Sequence, residues 1–431
     1  MRGRFDRRNT VRRWRAIGQV AGLVALLGAC YLLMLNLPTR VYEAGDFLGY
    51  WTAANLLAHR QSPYDPEAML ALERQQGWQG DDPVYSWNPP WLHVLLIPLG
   101  VLPFRPAAAL WFMVNPLLIG ASVLLVWDTV SPLGERRRAA LPLLTAFLFS
   151  RSLHALLEGQ ISTLILLGCA CFLSLTCRRR DFLAGAALVL VTVKPHVAYL
   201  LLPSVLLLVL LQRRWRVIVG FLASLLFLLS LASCLYPHWL DAYSRLFDVP
   251  ASPLLSTQYA TPTVRGLVWT ALGLDIGPWL SVICLAGFLI LIWLRRRDLT
   301  LTVTASLSLI VGLPTSAFGW STDQVLLLIP IVQALSWTRN LASKGRWVAA
   351  LSLLLTYAYA LSAWLVSYRD IAFLAVPPMV GLLWGYVYRA ALPGTRMTDK
   401  IPLGDQQAKD LQQPQNGETF KSATVGESVV Q

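Results

Sequence analysis

Short clusters of arginine interrupt a chain that is otherwise nearly free of charge: Arg136-Arg137-Arg138, Arg178-Arg179-Arg180, Arg213-Arg214 with Arg216, and Arg295-Arg296-Arg297. Apolar segments run between them, some near the roughly 20 residues a helix needs to cross a bilayer, others shorter and in pairs. This alternation is what most restricts the fold. A water-soluble domain carries about 25% charged residues, whereas here the charged share is 14% and the hydrophobic share 56%. Lipid-facing surface cannot carry charge cheaply, so the expected fold is an all-α polytopic membrane protein. The net charge of +13 does not point to nucleic acid. The basic residues sit between apolar runs, which is the pattern that orients membrane proteins.

Placing those clusters on the cytoplasmic side sets the expected topology. Residues 1–15 form a basic cytoplasmic N-terminus. The apolar run that follows, from about residue 16 to 37, exceeds the ~7–15 residues of a signal-peptide core and is read as an uncleaved first helix. Residues 38–90 form a large first external loop. Within it, Asp46 to Arg60 has helical spacing, with Phe47, Tyr50, Trp51, Ala54, Leu57 and Ala58 on one face, so a short helix lying on the membrane surface is expected. The run from Trp91 to Leu102 is broken by Pro98, with Pro103 just beyond, and is too short to span; it is read as re-entrant or interfacial. A second external loop covers 237–262. The transmembrane domain is 16–391, with about twelve crossings in all, and residues 392–431 read as a disordered cytoplasmic tail. Both termini are cytoplasmic, in a plasma or inner membrane.

Cys169-x-Cys171 does not have a zinc spacing, and no histidine is placed to complete such a site. The six cysteines read as small packing residues, and neither a metal nor a cofactor is expected.

The topology collects the unusual polar residues on the external face: Asp46, Tyr85, Asn88, Glu158, Gln160, Lys194, His196, Arg265 and Asp323. Ionisable groups near apolar spans are costly and are functional candidates by default. Asp46 sits beside Gly45, Phe47 and Tyr50; a partly desolvated carboxylate has raised proton affinity and suits general-base work. Lys194-Pro195-His196 splits an apolar stretch, because proline removes a helical hydrogen bond. A lysine there can meet a phosphate as a point charge, or simply snorkel to the interface. Arg151, His154 and Glu158 are spaced to share one helical face, as a cavity wall or a structural network. Thr315 to Gln324 is a polar, aromatic break in which Asp323 either lines the site or caps the next helix.

The order of these motifs resembles glycosyltransferase family 87, also described as DUF2029, within the GT-C superfamily of lipid-linked sugar transferases. The stretches that carry the resemblance are Gly45-Asp46-Phe47 with Tyr50, Ser62-Pro63-Tyr64-Asp65, and Tyr85-Ser86-Trp87-Asn88-Pro89-Pro90 followed by Pro98-Leu99. They continue with Glu158-Gly159-Gln160, Lys194-Pro195-His196 and the Trp320 to Gln324 break. The resemblance implies an inverting transfer from a polyprenyl-phosphate sugar donor, with a mannose-like hexose or a pentose moved to a lipid or glycan acceptor in the cell envelope. It implies Asp46 as the general base and Lys194, with His196, at the donor phosphate; Arg265, in the second loop, is a further candidate for a phosphate or pyrophosphate contact. Tyr50, Tyr85, Asn88, His154, Glu158, Gln160 and Asp323 would line the substrate cavity. Many members carry a histidine near the position of Asp323, so no histidine role transfers there.

No glycine-rich nucleotide-binding motif is present, in keeping with a lipid-linked donor. The rival readings are a transporter or flippase and a glycan polymerase or ligase for lipid-linked saccharides. A transporter would gather its charges at the bilayer midplane, and a polymerase or ligase would carry its large loop late in the chain.

Overall fold

The computed structural model of the protein describes residues 28–36, 45–131, 139–246, 260–367 and 369–391. The regular structure of these residues is helical, with no strand among them. The basic N-terminus and the tail lie outside the described residues, as do most of the first apolar run and much of the second loop.

Among the described residues, four helices are long and apolar enough to cross a membrane: Phe104–Val130, Trp215–Leu235, Ser343–Val366 and the run Asp370–Ala391. A fifth candidate is the pair Ala140–Leu148 and Ser150–Leu157, bent by 66°. The bend falls at Phe149, whose ψ of 113° leaves the helical region and whose ring stacks on Tyr357. Six further apolar helices have only 10–17 residues. Among the described residues, four or five helices thus have full spanning length, and breaks divide other apolar stretches into shorter ones.

The first loop differs from expectation in a second way. Phe47–Ala58 forms a helix as its spacing predicts, but it does not lie on a surface. Ten of its residues are buried, including Leu48, Gly49, Thr52 and Ala53 on the sides away from the expected apolar face. It packs against Pro90–Gly100, and small residues allow the approach. A Cβ on Gly100 would sit 2.7 Å from the Ala54 backbone carbon. Trp51 Nε1 donates to the Leu102 carbonyl at 3.0 Å and Asn55 Nδ2 to the Gly100 carbonyl at 2.8 Å, locking the two helices in register. Asp65 caps the next helix, Pro66–Gln75, by accepting from the Glu67 and Ala68 amides. Buried Glu73 on that helix accepts from the Val84 amide at 2.8 Å and draws the following loop inward. Much of the first loop is thus folded onto the bundle.

Asp181–Leu188 and Trp215–Leu235 cross at Gly185 and Gly220. A Cβ on Gly185 would run into the Val217 carbonyl oxygen, and one on Gly220 into that of Phe182. Small residues that admit backbone contact are how helices associate where lipid removes the hydrophobic drive between them. Gly220→Ala is expected to destabilise the protein by about 1–3 kcal/mol, the usual cost of overpacking. The check is the thermal unfolding midpoint of the purified protein in detergent; an unchanged midpoint would contradict this crossing.

Candidate active site

Three chain breaks meet at one place. The first is the end of Ser150–Leu157, where Gly159 adopts φ +60°, a left-handed conformation that glycine adopts without strain. The turn frees the Glu158 carbonyl, which accepts the Asp46 amide at 3.0 Å. A Cβ on Gly45 would lie 2.7 Å from that same oxygen. Glycines on both sides therefore bring Asp46 backbone-to-backbone with the Glu158-Gly159-Gln160 turn.

The second break is at Lys194. Proline at the next position pushes its predecessor out of the helical region, and Lys194 has φ −129° and ψ 84°. The Val193 carbonyl, released from helical bonding, accepts Asn88 Nδ2 at 2.8 Å. Trp91 Nε1 donates to Thr192 Oγ1 at 2.9 Å. Asn88 thus pins the end of the first loop to this break and does not reach the carboxylate. The third break, Ser321–Leu327, is a 3-10 segment; Asp323 accepts the Trp320 amide at 3.1 Å.

Side chains from the three breaks form one chain of polar contacts. Gln160 Nε2 donates to Asp46 Oδ2. Tyr50 Oη lies 3.5 Å from Asp46 Oδ2 and 3.3 Å from Gln160 Oε1. Lys194 Nζ donates to Gln160 Oε1 at 2.7 Å, Asp323 Oδ1 at 2.8 Å and Ser162 Oγ at 3.1 Å. Ser162 Oγ also donates to Asp323. An ammonium has three N–H donors, and all three are used.

Burial and charge set the protonation tendencies. Burial raises the Asp46 carboxyl above its ordinary value, opposed by Lys194 and reinforced by Glu158. Burial would raise Asp323 too, but Lys194, together with His196 and the hydrogen bonds from Lys194 and Ser162, outweighs it and holds that carboxyl low. Burial pushes the His196 imidazole down to about 4. Its Nε2 is buried without a partner, while its carbonyl accepts Ser316 Oγ at 2.7 Å.

Of the residues singled out by sequence, Asp46, Tyr50, Gln160, Lys194 and Asp323 come together. His154 and Glu158 line the adjoining wall, with His154 Nε2 3.6 Å from Glu158 Oε1. Arg265 stands apart in an ion pair, its Nε and Nη2 each 2.7 Å from one oxygen of Asp275, with Phe318 beneath the guanidinium. Tyr85 packs on Trp87. Ser162 was missed; its only sequence signal is its place two residues after Gln160.

A bundle of apolar helices around a half-buried carboxylate and a buried ion pair defines a membrane protein with a polar centre. Residues 87–318, more than half of the chain, match the model of glycosyltransferase family 87, and the chain belongs to that family. It is a glycosyltransferase. The matched stretch contains Gln160, Ser162, Lys194 and His196; Asp46 precedes it and Asp323 follows it closely. A comparison with curated proteins finds no match.

Removing one member of a buried ion pair leaves the other uncompensated, at a cost of about 3–5 kcal/mol. Lys194→Met is expected to destabilise the protein by that amount, and Lys194→Met with Asp323→Leu to recover most of it. Denaturant or thermal unfolding of the two variants checks this. Equal stability of the single variant and the wild type would show that the pair does not hold the breaks together.

Proposed function

We propose that the enzyme transfers a mannose-like hexose or a pentose from a polyprenyl-phosphate donor to a hydroxyl of a lipid or glycan acceptor, with inversion, at the external face of the membrane. The observation that carries this reading is the state of Asp46. One carboxylate oxygen is held by Gln160, with Tyr50 in reach, and the other accepts no hydrogen bond among the described residues. A general base must be oriented and still have a lone pair for the incoming proton.

In the proposed step, Asp46 takes the proton of the acceptor hydroxyl. The acceptor oxygen bonds to the anomeric carbon from the face opposite the leaving group. The anomeric C–O bond to phosphate breaks and its electron pair stays on the phosphate oxygen. One proton moves to Asp46, one glycosidic bond forms, and a polyprenyl phosphate leaves. The transition state carries positive charge on the sugar and growing negative charge on the phosphate, so fixed local charges matter more than in water. Gln160 links Asp46 to Lys194, so the base, the ammonium and Asp323 form one electrostatic unit. Asp323 fills that unit with a carboxylate, so its part is to hold Lys194, not to move a proton as a histidine could. The external placement rests on the basic clusters, which the positive-inside bias puts in the cytoplasm.

Asp46→Asn is expected to lower kcat about 10²–10⁴-fold, the usual contribution of general-base catalysis, in an assay of purified protein in lipid with polyprenyl-phosphate sugars. Undiminished transfer by the variant would end the assignment. The base works only when ionised, so the rate is lost as pH falls through its pKa. Burial raises that pKa, so the acid limb should lie above the ordinary carboxylate value of about 3.9; a kcat/KM profile flat down to that value would contradict it. For the topology, Gln61→Cys and Arg179→Cys place thiols at exposed positions. A membrane-impermeant maleimide added to whole cells should label the first and not the second; the reverse pattern would invert the orientation.

A further inference from the structure

A polyprenyl-phosphate donor brings an anion, and the cations expected to meet it are committed elsewhere. Lys194 has filled its three N–H donors with Gln160, Ser162 and Asp323. Arg265 already grips both oxygens of Asp275. His196 is held neutral by burial.

Arg151 differs from all three. It is 0% exposed, yet its guanidinium uses a single N–H group: Nη1 donates to His154 Nδ1 at 3.3 Å. Both Nε and Nη2 are buried without a partner. Among the described residues it forms no ion pair. Asp370, the carboxylate whose charge it senses, accepts the Ser321 amide at 2.9 Å instead. An uncompensated buried charge costs several kcal/mol, and the rings of Phe373 and Trp364 beside the guanidinium carbon offset only part of that.

The geometry of the unused groups is specific. Nε and Nη2 lie on one edge of the guanidinium, the same edge with which Arg265 holds Asp275. Two parallel N–H groups on that edge match two oxygens of a phosphate. Phe373 fixes the plane from one side, 3.7 Å from the guanidinium carbon to the ring centre, so the fork is preorganised. Arg151 can only donate, so His154 Nδ1 accepts and its Nε2 carries a proton toward Glu158. Ser321 Oγ, 3.4 Å from His154 Nδ1, adds a hydroxyl beside the fork. His154 and Glu158, on the same helical face, have side chains 20% and 36% exposed.

The separation also fits. Arg151 and Glu158 are seven residues apart along one helix, about 10 Å at 1.5 Å per residue, and the Glu158 carbonyl holds the Asp46 amide. In an inverting step the leaving phosphate oxygen, the anomeric carbon and the acceptor hydroxyl lie in line, so the seat of the phosphate and the base that serves the hydroxyl stand apart by a gap of this order.

We infer that the Nε–Nη2 edge of Arg151, with His154 and Ser321 beside it, is the seat of the donor's phosphate group. The inference rests on the polyprenyl-phosphate reading above and adds to it the residue that takes the anion.

The test uses the full-length protein in detergent and reads the thermal midpoint and the affinity for three probes: citronellyl phosphate, citronellol and inorganic phosphate. Wild type should be stabilised by citronellyl phosphate beyond citronellol or inorganic phosphate. Arg151→Met should lose that difference, binding citronellyl phosphate at least tenfold more weakly, with a probe-free midpoint no lower than wild type because an unpaired buried charge has been removed. Arg151→Lys keeps the charge without the fork and should also bind at least tenfold more weakly; it carries the test if Arg151→Met does not fold. Asp46→Asn should bind as wild type does. If the Arg151 variants keep the wild-type response to citronellyl phosphate, Arg151 is not the seat, while the donor reading stands. If wild type does not distinguish citronellyl phosphate from citronellol, the lipid-phosphate donor itself is refuted. An equal response to inorganic phosphate would make this a general phosphate site and overturn the assignment to the lipid donor.

Discussion

Lys194 carries a charge to a position that is 3% exposed, and it stays there because Pro195 breaks the helix and Asp323 supplies a counter-ion. Burying two charges is favourable only when their hydrogen bonds are completed, and here Gln160 and Ser162 complete them. That requirement draws segments remote in sequence to one point. It also reaches Asp46, because the amide that accepts from Lys194 with its oxygen donates to Asp46 with its nitrogen. The orientation of the Asp46 carboxylate, the proposed base, is thereby tied to the ion pair through one side chain. Glutamine suits this place because it presents a donor and an acceptor at once.

The surrounding fold serves the same end by economical means. Gly45 and Gly159 let two backbones touch, Gly185 and Gly220 let two helices cross, and Asn88 holds the first loop to the break before Lys194. The helix after Asp46 is buried on nearly all sides, so the carboxylate stands at the start of a rigid element. A catalytic group gains precision from such support.

The helical class, the basic-cluster pattern and the break at Lys194-Pro195-His196 were legible because each has a local physical cause: charge avoidance in lipid, loop charge bias, and the missing N–H of proline. The shared face of Arg151, His154 and Glu158 was legible for the same reason, as a helical repeat. What could not be read is pairing across distance. Asp323 and Lys194 are 129 residues apart, and neither sequence context names the other. The burial of Phe47–Ala58 was missed although Gly49 and Ala53 hinted at it, since small residues on the supposed outer face leave room for a neighbour. The lengths of the individual helices were not legible either, because apolar runs separated by a polar break look like two spans whether or not each is long enough.

The distance between Lys194 and Asp323 has a consequence for how the protein is made. The ribosome delivers the lysine first. At about 5–20 residues per second, its counter-ion follows on the order of ten seconds later. Throughout that interval the nascent chain holds a cation in an apolar setting with no carboxylate from Asp323 to meet it. Early segments must therefore either leave Lys194 at the water boundary or lend it Gln160 and Ser162 alone. The Asp46 carboxylate reaches its final orientation only when the chain has grown past residue 323, so this polar centre is among the last parts of the molecule to be completed.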